Sequence, residues 1–98
     1  MEKMMQVAEI FGIHVYLESM SWCDGEIYIN KRGVPFITID PEAEDGLEWV
    51  MAHELGHYFL HMPFGYDMDV ATKKEKERVE AEAQHFADGM LRILGRAS

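Results

Sequence analysis

The segment His53-Glu54-Leu55-Gly56-His57 sets two imidazoles four residues apart, with a carboxylate directly after the first. In a helix, that spacing means about 6 Å of rise and about 40° of rotation, so both rings leave the same face. Two neutral histidines so placed reach one zinc ion at about 2.1 Å each. Glu54 lies beside such an ion without being forced to bind it. That position suits a general base acting on a water that the metal acidifies.

The same helix is apolar on nearly every side, through Leu47, Trp49, Val50, Met51, Ala52, Leu55, Phe59 and Leu60, which marks it as buried. The plainer reading is that the histidines and Glu54 hydrogen-bond ordinary core groups. Unpaired buried polar groups cost on the order of a few kcal/mol, and the complete match to the ligand spacing favours the metal. Gly56 costs about 1 kcal/mol relative to alanine inside a helix, so a neighbouring element is expected to approach closely there.

His61 extends the ladder by one more turn. His53 and His61 are separated by about 12 Å of rise, too far to share one ion. A site on His57 and His61 would have Tyr58 where the base belongs. The metzincin pattern requires a glycine and a third histidine where this chain has Leu60 and Pro63. His61 is therefore expected to support a ligand from outside or to be structural. A catalytic zinc keeps three protein ligands and a water, and the last helix offers Glu80 and Glu82. Glu80 shares a face with Ala83, Gln84 and Ala87; the alanines permit close packing, and Gln84 is placed to orient a ligand histidine. Glu82 shares a side with Val79 and Phe86 and is placed to pair with Arg78. The bland reading of either glutamate is a solvated charge; Glu80 is favoured, and spacing alone leaves Glu82 open.

The elements that must hold these residues are short. Apolar Met4, Val7, Ala8 and Phe11 follow helical spacing over residues 2–11, and Gly12 stops that helix. Residues 13–17 and 26–30 read as strands, with a turn-like stretch over 19–25. Residues 34–39 read as a third strand, which Pro35 either begins or confines to a sheet edge. Asp45 and Glu48 suggest a capping box for a helix ending near His61. Met62-Pro63-Phe64-Gly65 ends it, and a surface loop follows to Val70. Thr72 and Glu75 suggest a second box, opening a long helix over 73–94. The expectation is a small α+β domain spanning residues 1–98, with no internal repeat.

The chain has 98 residues, 48% of them hydrophobic and 11% aromatic, as a folded domain requires. Its net charge of −9 provides no basic stripe for nucleic acid or anionic membrane. No apolar run reaches membrane-spanning length, and Glu2, Lys3, Gln6 and Glu9 break up any signal-peptide core. Cys23 is the lone cysteine, consistent with a reducing compartment, so a cytoplasmic address is expected.

The blocks "VMAHELGHYFLH" and "EAEAQHFADGML" resemble those of the ImmA/IrrE family of zinc metallopeptidases. In that resemblance Glu80 falls on the family's glutamate ligand, Ala83 on its alanine, and Phe86-Ala87 on its Phe-Ala. Gln84 stands where the family has Asn or Asp, Gly89 interrupts the last helix, and the family's Met-Pro after the leucines is missing. With the chain ending at Ser98, a C-terminal recognition region of the family kind is expected to be absent. The resemblance implies a zincin-like fold: a leading helix, a three-stranded sheet, the His-Glu-x-x-His helix, and a long last helix carrying the third ligand. It implies a Zn2+-dependent endopeptidase with His53, His57 and Glu80 as ligands and Glu54 as the catalytic base. Gln84, His61 and Tyr58 are the candidates for supporting those ligands. The implied partner is a protein substrate, a helix-turn-helix repressor of a phage or mobile element. The peptide is expected to add itself to a sheet edge, with residues 34–39 as the candidate strand. Tyr58, Tyr66, His61 and His85 are candidates for a further oxyanion donor, although a surface position suits His85 better. The competing class is a zinc-binding interaction module that docks a repressor or toxin without turnover.

Overall fold

The computed structural model describes residues 1–61 and 72–96. Three helices and three strands appear in the order α1 (Glu2–Ile10), β1 (His14–Leu17), β2 (Gly25–Ile29), β3 (Pro35–Ile39), α2 (Leu47–Leu60) and α3 (Lys73–Arg96), an α+β arrangement. Met4 and Ala8, one turn apart on α1, are buried. The helix stops where Gly12 takes φ +69°; Ile13 N–H then donates to Ala8 O at 2.8 Å and closes the C-terminal turn.

The sheet order is β1-β3-β2, with β1 parallel and β2 antiparallel to β3. The third strand is thus the central one. It begins at Pro35, as expected, but it offers no edge to an incoming peptide. Burial explains the placement: Pro35, Ile37, Thr38 and Ile39 are all buried, whereas β1 and β2 carry exposed residues. The missing N–H of Pro35 falls at the first position of the strand, where it interrupts no inner ladder. Strand alternation turns Ile37 and Ile39 toward the helices and Phe36 outward. On the outward face the Phe36 ring stacks with those of His14 (5.1 Å) and Tyr28 (5.3 Å).

α2 runs through the middle of the molecule and touches α1, α3, β2 and β3, which is why it is apolar on nearly all sides. Val50, Met51, Ala52 and Leu55 join Met4, Ala8, Ile13, Ile37, Ile39 and Ala87 in one core. The Asp45–Glu48 capping box does not form. Gly46, at φ 87°, occupies the cap with no side-chain hydrogen bond. Glu48 instead meets the amino group of Met1, 3.1 Å away. At the start of α3 the Thr72 hydroxyl accepts from Glu75 N–H at 3.1 Å, so that cap is present. α3 passes through Gly89 without a break and buries Val79, Ala83 and Ala87, four residues apart. The expected helix stop at residues 62–65 and the loop to Val70, with Tyr66, lie outside the described residues. Among the described residues, no helix is long and apolar enough to cross a membrane.

Candidate metal centre

The site is built where α2 and α3 come closest. A Cβ on Gly56 would lie 3.1 Å from the Ala83 carbonyl oxygen and 3.2 Å from Ala83 Cα. The glycine therefore explains itself: its missing side chain lets the two backbones approach. One turn before Ala83, Glu80 is carried against the histidines. Its Oε1 lies 2.9 Å from His57 Nε2, and its Oε2 lies 3.0 Å from His53 Nε2. One donor atom from each of the three residues lies within 4.8 Å of the others. The two imidazoles stack with centroids 4.9 Å apart, as residues one turn apart on a helix face do.

His53 Nε2 is within contact distance of Glu80 but poorly aligned, and among the described residues it remains buried without a hydrogen-bond partner. Direction decides here, because a misaligned contact at 3.0 Å satisfies little of the nitrogen's need. A buried ring nitrogen left unsatisfied between a carboxylate and a second imidazole is what a metal ion would satisfy. Two nitrogens and a carboxylate oxygen are also the donors that a divalent cation takes. The residues present therefore fit a metal.

Glu54 is buried beside this group and, with His53 and Glu80, lines a cleft of about 330 Å³. Burial first, and then the negative charges of Glu80 and Glu26, push its carboxyl from an ordinary 4.5 up to about 8. The charge of a bound cation would oppose that rise. Burial also pushes His57 down, more than the neighbouring Glu80 restores, and His53 and His61 add to the lowering. The neutral imidazole is the form that binds a metal.

The other residues singled out from the sequence fall as follows. Glu82 lies away from the three-donor group and meets His61 Nε2 at 3.3 Å. His61, buried, also places its Nδ1 3.3 Å from His57 Nδ1. Gln84 lines the cleft, but among the described residues it hydrogen-bonds neither histidine. Tyr58 packs against the core with its ring on Phe59. His85 is exposed on α3. The cleft also has walls that sequence reasoning missed: Cys23, Asp24, Gly25, Asp45 and Trp49. Trp49 was within reach, since it precedes His53 by one helical turn and meets its ring edge-on at 6.3 Å. Gly25 carried no local signal; a Cβ there would meet Val50 Cγ1 at 2.5 Å, so α2 and β2 touch only because it is glycine. Burial, and then Glu26, push the Cys23 thiol up, which keeps it protonated.

A His-Glu-x-x-His helix that receives a glutamate from the following helix defines a metallopeptidase-type centre. The model of the IrrE N-terminal-like domain, a peptidase family, matches residues 8–92, and the chain belongs to that family. It is 25% identical over 87 residues to metallopeptidase ImmA of Bacillus subtilis (strain 168), a match covering 88% of this chain and 52% of the relative. The chain thus spans about half the length of the curated relative it matches. No solved structure matches it.

Proposed function

We propose that this chain is a zinc-dependent endopeptidase domain in which His53, His57 and Glu80 hold the ion and Glu54 is the general base. The observation that carries this reading is the convergence of three donor atoms within 4.8 Å beside a buried carboxylate. Zinc, when bound, supplies Lewis acidity to the attacking water and to the scissile carbonyl. Glu54 accepts a proton from that water and delivers it to the leaving nitrogen. The walls of the cleft limit bulk water around the reacting groups and hold the peptide against them.

The substrate backbone lies extended along β2, not β3. Among the described residues β2 is an edge of the sheet, and its first residue, Gly25, lines the cleft beside Glu54. Main-chain hydrogen bonds from that edge position the peptide without regard to its side chains. We take the substrate to be a protein in the cytoplasm, a helix-turn-helix repressor of a phage or mobile element. That part of the reading rests on the family resemblance.

Glu54→Gln tests the proposal. Hydrolysis of a repressor encoded beside the chain should fall by about 10²- to 10⁴-fold, the range expected for a lost general base. Zinc content and far-UV circular dichroism should remain those of the wild type. Retained hydrolysis would remove Glu54 from its role. A repressor response that survives the substitution would identify a docking module without turnover, and zinc content near zero after zinc-replete purification would refute both readings.

A further inference from the structure

We infer that His61 and Glu82 form an outer relay that fixes the proton and ring orientation of His57, and that this relay sets how tightly the centre holds its ion. The inference rests on the reading of His53, His57 and Glu80 as the metal-holding group. His57 Nε2 faces Glu80 at 2.9 Å and is the nitrogen on the metal side. For Nε2 to present a lone pair, the single proton of the neutral ring must sit on Nδ1.

That Nδ1 lies 3.3 Å from Nδ1 of His61. Two facing ring nitrogens make a hydrogen bond only if one donates and the other accepts. With an ion on His57 Nε2, His57 Nδ1–H is the donor and His61 Nδ1 the acceptor. A neutral His61 that accepts at Nδ1 carries its own proton on Nε2. That nitrogen lies 3.3 Å from Glu82 Oε2, which can only accept when ionised. The other Glu82 oxygen is 3.4 Å from Arg78 Nε, one turn back on α3. With an ion on His57 Nε2, these contacts run from Glu82 to His57 with each donor facing an acceptor.

Burial gives the relay its grip. His61 is only 7% exposed, so a ring nitrogen stranded there would be penalised. Glu80 and Glu82, two residues apart, therefore divide the work between them. One faces the metal side of a histidine; the other terminates the support behind it. The arrangement also gives Glu82 a task that the three-donor group does not.

The experiment uses the full chain, loaded with zinc alone. In nitrogen-15 histidine spectra, a scalar coupling across the hydrogen bond should link Nδ1 of His57 to Nδ1 of His61, and the His61 proton should be found on Nε2. In chelator competition, His61→Leu should bind zinc about 10- to 100-fold more weakly, the range typical for loss of an outer partner. Glu82→Ala should weaken binding in the same direction by less, because water replaces a half-exposed carboxylate. Far-UV circular dichroism reports whether each variant is folded; should His61→Leu fail to fold, Glu82→Ala and the coupling decide. Wild-type affinity in both variants, or a His61 proton on Nδ1, overturns the relay and leaves the metal reading standing. A wild-type chain that takes up no zinc overturns both.

Discussion

At the scale of single residues, Glu54 brings together the site's chemistry and its cost to the fold. Its carboxyl is raised from 4.5 to about 8 in the folded chain without metal, by burial and then by Glu80 and Glu26. An acid with a raised folded value contributes stability that is full below the unfolded value and is lost as pH rises through the folded one. In chelator, Glu54 should therefore cost the wild type stability between about pH 4.5 and 8, by a few kcal/mol at the upper end. The lowered His57 acts in the opposite sense, weakening the fold as pH falls below the ordinary histidine range. Comparison with Glu54→Gln separates the two, since His57 is common to both proteins. The advantage of the variant in urea unfolding should grow from pH 4.5 to 8; a difference independent of pH would remove the buried charge from the account. The motif residues were legible because their relation is local: a spacing of four within one helix. Glu80 was legible one step further, through the alanines on its face. The meeting of His61 with Glu82 was not, because it depends on the angle at which two helices cross.

Among the elements, the two glycines of the helical pair carry opposite expectations. Gly56→Ala gains about 1 kcal/mol of helix propensity. The added carbon, however, meets the Ala83 backbone at 3.1 and 3.2 Å and the Phe86 ring at 3.1 Å. Backbone in a packed helix yields only if the helix moves, and overpacking of this kind costs about 1–3 kcal/mol. The substitution should therefore destabilise the fold and, by moving Glu80 off the histidines, weaken zinc binding. Gly89→Ala meets nothing within 4 Å and should stabilise by about 0.5–1 kcal/mol. Urea unfolding of both variants checks the pair, and the same sign in both would contradict the packing argument. The order and type of the six elements among the described residues could be read from periodicity and turn residues. The sheet order could not, because Pro35 is compatible with either an edge or a strand start, and the choice was made by burial on both faces of β3. The Asp45–Glu48 box failed for a similar reason. A contact with Met1, at the far end of the chain, claims Glu48 instead.

For the whole molecule, a metal held as proposed by His53, His57 and Glu80 would tie together α2 and α3, two elements joined through residues 61–72. Binding to the folded state alone raises the unfolding free energy by about 2.7 kcal/mol at a hundredfold excess over Kd. In a chain of this size that corresponds to a rise in Tm on the order of 10–20 °C. Zinc should produce that rise in the wild type and not in His53→Ala; equal shifts in both would place the ion elsewhere. A net charge of −9 opposes compaction of the metal-free chain, and a divalent cation relieves part of that repulsion at the cleft. The open border of β2 has a consequence for the protein as a colloid. A strand with an unpaired edge is also a template for its own copies, and Gly25–Ile29 presents mostly apolar residues with one charge, Glu26. Like-charged molecules repel one another, which keeps such borders apart in dilute salt. Concentrated salt screens the repulsion, and a substrate bound along β2 as proposed would then compete with a sister molecule for the same row of amides.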